Sequence, residues 1–172
     1  MEECISVFDM LKIGVGPSSS HTLGPWRAAE RFLEELRQDF DLNSITRVKV
    51  DLYGSLSLTG KGHATDLAVM LGLSGQDPEY IPVQDIDGII KAIENNHLIQ
   101  LGNEKALPFY ILQDIVFHKE FLPFHANGLT FTAFFENETE YASTFYSIGG
   151  GFVVKEERSN ANDKTQIKCA FP

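Results

Sequence analysis

Residues 16–22 read Gly-Pro-Ser-Ser-Ser-His-Thr, and Leu-Gly-Pro then leads into a helix with a plain apolar face. Unpaired N–H groups at a helix start favour an anion. Ser18, Ser19, Ser20 and Thr22 therefore read as a seat for a carboxylate or phosphate. His21 adds a group that changes protonation near neutral pH. Together they suit a small acidic ligand, such as an amino acid, with a proton-transfer group beside it. The competing reading is helix capping with solvated serines, which the same residue types also serve.

Three further constellations carry polar chemistry. In Gly60-Lys61-Gly62-His63-Ala64-Thr65-Asp66, the glycines let the backbone approach a ligand around Lys61. His63 and Asp66 are three apart, so a helix puts them on one face, where the carboxylate can orient the imidazole or raise its pKa. A Gly-rich turn into an ordinary helix start is the alternative. In His125-Ala126-Asn127-Gly128, an extended chain places His125 and Asn127 on one side, able to bind an amino, carboxylate or hydroxyl group. A surface histidine before an Asn-Gly turn explains the same residues. In Tyr146-Ser147-Ile148-Gly149-Gly150-Gly151-Phe152, three glycines imply a tight turn or a backbone pressed against something.

Other site types are poorly matched. A serine hydrolase needs a Gly-x-Ser-x-Gly elbow, which is missing. Nothing in the spacing of His21, His63 and His125 favours a zinc site. The glycine spacings fit neither a phosphate-binding Walker loop nor a dinucleotide fingerprint.

These groups need a scaffold, and the hydrophobic pattern supplies one. Trp26, Ala29, Leu33, Leu36 and Phe40 recur at helical spacing after Pro25, which suits a first turn. Thr46 to Tyr53 alternates, with Val48, Val50 and Leu52 on the buried side of a strand. Gly54 to Gly62 reads as a Gly/Ser/Thr-rich connection, and His63 to Leu73 as a short helix with Leu67, Met70 and Leu71 inward. Asp85 to His97 reads as another helix on Ile86, Ile89, Ile90 and Ile93. Strand-like runs follow at 111–118, 129–135, 141–148 and 152–155. Helices early and strands late predict an α+β fold, a largely antiparallel sheet with helices packed on it. From Glu156 the chain turns polar, which divides it into a domain over 1–155 and a linker over 156–172. The ending Cys-Ala-Phe-Pro reads as a truncation.

The 172 residues suffice for one core, and a hydrophobic content of 43% is ordinary for a globular protein. Fourteen basic against 24 acidic residues give a net charge of −10, which argues against nucleic acid as a partner. No apolar run is long enough to span a bilayer, and Met-Glu-Glu-Cys lacks the basic start of a signal peptide. The two cysteines, Cys4 and Cys169, cannot alone ligate an iron–sulfur cluster. A cytoplasmic protein with no metal site of its own is the expectation.

Taken in order, the run Ser6 to Thr22, Gly60 to Asp66, His125 to Gly128 and Tyr146 to Val153 resembles the N-terminal part, or beta chain, of the bacterial iron–sulfur L-serine dehydratases. The resemblance covers roughly residues 5–155. It implies a lyase of serine catabolism and gluconeogenesis that converts L-serine to pyruvate and ammonia. It also implies a fold like the allosteric substrate-binding domain of some D-3-phosphoglycerate dehydrogenases.

In that family a larger alpha domain carries an oxygen-sensitive 4Fe–4S cluster, whose iron assists departure of the hydroxyl. The cluster is then ligated outside this chain, and these residues alone are expected to be inactive. The resemblance implies that His63 transfers a proton, and that His21 with Ser18, Ser19, Ser20 and Thr22 orients the substrate carboxylate. Lys61 and Asp66 join the substrate site. His125 and Asn127 fall either in the active-site wall or in a separate serine-sensing site. A regulatory L-serine-binding module without chemistry is the alternative function. Expected partners are L-serine, the cluster-bearing alpha domain or chain, and a second copy in a homodimer.

Overall fold

The computed structural model describes residues 18–156, with backbone alone for residues 60–63. Cys4, Cys169, the run Ser6 to Pro17 and the polar stretch beyond Glu156 lie outside the described residues.

Helix α1 spans Leu23–Asp39 and is the main helix packed on the sheet. Its buried face, Trp26, Ala29, Phe32, Leu33 and Leu36, follows the three-to-four-residue spacing of the apolar positions. Pro25 lies in the first turn, as its missing N–H favours. Arg37 in the last turn donates to the Gly102 carbonyl at 2.9 Å and to Glu104 at 2.8 Å. After a 3-10 turn at Leu42–Ser44, strand β1 runs over Ile45–Leu52. Helices α2 (Gly54–His63), α3 (Thr65–Leu73) and α4 (Val83–Asn96) follow.

Strands β2 (Leu98–Leu101) and β3 (Lys105–Pro108) form a separate hairpin. A helical turn α5 (Ile111–Asp114) then leads into β4 (Ile115–Phe117), β5 (Gly128–Phe135), β6 (Glu140–Gly149) and β7 (Phe152–Lys155). The five-stranded sheet has the order β4-β1-β5-β6-β7. Only β1 and β4 run parallel, with Val50 opposite Ile115. The other neighbours are antiparallel, with Val50 opposite Phe131, Thr130 opposite Thr144, and Tyr146 opposite Val154. The architecture is α+β with a mostly antiparallel sheet, as the order of elements predicts.

Phe32 of α1 stacks on Phe131 at 5.2 Å and on Tyr141 at 6.1 Å, and Phe131 meets Phe145 edge-on at 6.0 Å. That aromatic column is the centre of the core. The reverse face of the sheet is polar. There Asp51 holds Lys49 at 2.8 Å and His118 at 2.6 Å, and Thr130 bonds Thr144 at 2.8 Å.

Four local expectations need correction. The Gly54 to Gly62 stretch is helical rather than a connection, because its N-terminal end is anchored from outside. The Gly54 and Ser55 N–H groups donate to the carbonyls of Glu120 and Ala126, both at 2.8 Å. His63 and Asp66 do not share one helix, since α2 ends at His63 and Ala64 adopts a left-handed conformation (φ 59°) before α3 begins. The run 111–118 starts as a helical turn, because the buried Asp114 carboxylate accepts from the Tyr110 N–H at 2.7 Å and from Arg47 at 2.6 Å. His125 and Asn127 lie on a bend rather than on an extended strand, which starts only at Gly128. The three glycines at 149–151 make the tight turn between β6 and β7, all with positive φ.

Candidate functional site

The four polar constellations meet at one corner, where the start of α1, both ends of α2, the start of α3 and the β6 terminus converge. The loop before α1 closes on itself. The His21 and Thr22 N–H groups donate to the Ser18 carbonyl at 3.1 and 3.0 Å, and Gly24 N–H donates to the Ser19 carbonyl at 2.9 Å. Thr22 is buried, with its hydroxyl donating to the same Ser18 carbonyl at 2.8 Å. Several donors expected to seat an anion are thus engaged in building the loop. The side chains of Ser18, Ser20 and His21 are half-buried, and Ser19 is exposed.

Hydroxyls flank the His21 imidazole. Ser20 Oγ lies 3.0 Å from Nδ1, and Ser18 Oγ lies 3.4 Å from Nδ1 and 3.0 Å from Ser20 Oγ. On the other side, Ser55 Oγ of α2 lies 3.0 Å from Nε2. A hydroxyl both donates and accepts, so each can bond the ring nitrogen it faces in either tautomer.

Thr65 and Ser147 tie the loop down from two other elements. The fully buried Thr65 hydroxyl donates to the His21 carbonyl at 2.7 Å, joining the start of α3 to the serine loop. Ser147, also fully buried, donates from Oγ to the Ser20 carbonyl at 2.7 Å. Its backbone exchanges bonds with Asn127: Ser147 N–H donates to the Asn127 carbonyl at 2.9 Å, and Asn127 Nδ2 donates to the Ser147 carbonyl at 3.2 Å. Space here is scarce. A Cβ on Gly24 would come within 1.9 Å of Ser147 Oγ, so only glycine lets α1 start this close to β6.

His125 accepts the Asn127 N–H at Nδ1, 3.1 Å away, which leaves the ring proton of the neutral form on Nε2. Between them, the Ala126 carbonyl accepts the Ser55 N–H. That close approach requires Gly54, whose φ is +55° and whose Cβ, if present, would lie 2.3 Å from the Ala126 oxygen. Asp66 is half-buried in the first turn of α3, accepting from the Leu67 N–H at 3.0 Å. Lys61 and His63 lie where only the backbone is described, at the C-terminal end of α2.

A family model described as the serine dehydratase beta chain matches residues 6–158. The chain belongs to the serine dehydratase beta-chain family. It is 42% identical over 170 residues to an L-serine dehydratase of Haemophilus influenzae, covering 98% of this chain and 37% of that protein. It is 43% identical over 169 residues to L-serine dehydratase 1 of Escherichia coli, with the same coverage. With an L-serine dehydratase of Streptomyces coelicolor the identity is 44% over 173 residues, covering 97% of this chain and 38% of the relative. The chain therefore spans little more than a third of the length of the curated relatives it matches.

Within this beta chain, the structure joins His21, the serines, Asn127 and His125 through a continuous set of hydrogen bonds. Sequence reasoning did not assign Ser55, Thr65 or Ser147 to the site. Thr65 and Ser147 belong to two of the polar motifs and Ser55 to the stretch expected to be a connection, but only its long-range partner distinguishes each from any other small hydroxyl residue. Among the described residues, no group of three or more His, Cys, Asp or Glu is placed to hold a metal ion. The described residues thus offer no ligand set for a 4Fe–4S cluster. No helix among the described residues is long and apolar enough to cross a membrane.

Proposed function

We propose that this chain supplies substrate-binding and acid–base groups to the active site of an L-serine dehydratase, which a cluster-bearing domain or partner chain completes. The observation that carries this reading is the convergence of three elements distant in sequence, the starts of α2 and α3 and the end of β6, on the serine loop around His21. Ser20, Ser55, Thr65 and Ser147 all bond to His21 or to its neighbour in the loop. A structural cap would need none of the last three.

His63 is assigned proton transfer, and His21 with Ser18, Ser19 and Ser20 the orientation of the substrate carboxylate. Thr22 contributes by holding the loop closed. Lys61 and Asp66 flank His63 in sequence and belong to the same site. His125 would present its Nε2–H, with Asn127 fixing the bend that aims it. The bond from Ser55 to Ala126 places this pair beside His21, which supports one shared site over a separate serine-sensing module. Residues 1–155 act as the beta domain and 156–172 as the connection to the rest of the protein. The whole assembly is read as a cytoplasmic homo-oligomer, and the 172 residues alone as inactive.

Steady-state turnover of L-serine by the whole enzyme carrying His63→Ala or His21→Ala tests the assignment. A loss of about a hundredfold or more is expected for an acid–base group. Near-normal turnover in both variants would overturn it.

A further inference from the structure

We infer that Ser55 is a positioning residue for His21, fixing the imidazole from the side opposite Ser20. The role rests on the reading of His21 as part of the L-serine site. Ser55 comes from the first turn of α2 (Gly54–His63), 34 residues from the histidine it touches. Its position is set independently of the serine loop. The Ser55 N–H is bound to the Ala126 carbonyl at 2.8 Å, and its carbonyl accepts the Thr59 hydroxyl at 2.8 Å. Those backbone bonds leave Oγ directed to His21 Nε2 at 3.0 Å.

The chemistry of the partner matters. A neutral imidazole offers one donor and one acceptor, whereas an imidazolium offers two donors. A carboxylate at this place would hold the ring charged, and a backbone N–H would hold it neutral. The Ser55 and Ser20 hydroxyls can each rotate to donate or accept, so both ring bonds survive a change of protonation. A ring held in one plane from both of its nitrogens is pre-organised for a bound substrate. Gly54 completes the device, since its positive φ lets α2 start against the Ala126 carbonyl and so brings Ser55 to the ring.

The test is a double-mutant cycle in the whole enzyme, measuring kcat/KM for L-serine in Ser55→Ala, His21→Ala and the double variant, with Ser55→Thr as the conservative control. Loss of one hydrogen bond to the ring is expected to lower kcat/KM about tenfold in Ser55→Ala. In the His21→Ala background the same change should cost nothing further, because residues acting as a unit are not additive. Ser55→Thr, which keeps the hydroxyl, should stay within about threefold of the parent. Should Ser55→Ala fail to fold, Ser55→Cys, of nearly the same size but a weak donor, takes its place. An additive loss in the His21→Ala background, or a Thr variant as impaired as the Ala one, would overturn the role of Ser55. So would a damaging His21→Ala beside an unaffected Ser55→Ala, and that result leaves the reading of His21 standing. A harmless His21→Ala would remove that reading and this role together.

Discussion

The Ser147 hydroxyl donates to the Ser20 carbonyl at 2.7 Å, across 127 residues of chain. This bond joins the end of β6 to the serine loop, and it exists because Gly24 has no side chain to block it. Ser147→Ala leaves a half-buried carbonyl unpaired and should cost about 1–2 kcal/mol in urea unfolding. Gly24→Ala overpacks the same contact and should cost about 2 kcal/mol or more. Residues in contact couple, so Ser147→Gly should recover part of the Gly24→Ala loss. Strictly additive effects would show that the two do not share this space.

His125 is held by the Asn127 N–H at Nδ1. An Asn side chain can accept the same i+2 N–H through its oxygen, while offering nothing where Nε2 stood. His125→Asn should therefore keep the melting temperature within a few degrees and lower turnover by about tenfold or more. An equal fall in stability and turnover would reduce His125 to a part of the bend.

Three groups predict a fall in stability at alkaline pH. Burial, reinforced by the Glu156 carboxylate, pushes the Tyr146 hydroxyl up to about 12. Burial, and then the charges of Asp51 and Glu120, raise Tyr53. For Lys155, burial opposes the charge, but the hydrogen bond and charge of Glu35 outweigh it and raise the group. All three release a proton more readily unfolded than folded. Their contribution is whole below about pH 10 and is lost as pH climbs through the folded values. Urea midpoints measured from pH 7 to 12 should be level on account of these groups until about pH 10, then drop. Tyr146→Phe should flatten the drop. It should not destabilise at pH 7, because the buried hydroxyl makes no hydrogen bond of ordinary geometry among the described residues.

L-serine should leave the melting temperature of the 172-residue chain unchanged, with D-serine as the control. A half-site cannot deliver the stabilisation a complete site would, about 2.7 kcal/mol at a hundredfold excess over Kd. A selective rise with L-serine would show a complete ligand site within this chain, and would revive the sensing module.

Much of the scaffold is written locally. The spacing of Trp26, Ala29, Leu33 and Leu36 specifies α1 and its buried face, and the alternation of Val48, Val50 and Leu52 specifies β1, because helix and strand periods are properties of neighbours in the chain. The serine loop and the His-x-Asn-Gly bend were also visible, as clusters of polar residue types. Other features were decided only by the tertiary structure. Three glycines in ten residues, Gly54, Gly60 and Gly62, argue against a helix at about 1 kcal/mol each. The contacts of Gly54 and Ser55 with the loop before β5 override that cost at the start of α2. His63 and Asp66 lie on two helices rather than one, because a left-handed residue, Ala64, separates elements that the sequence pattern merges. Above all, the neighbours of His21 were beyond reach of the sequence. Ser55, Thr65 and Ser147 carry no local mark of their role. They reach the serine loop only because sheet order and helix packing bring α2, α3 and β6 to the same corner.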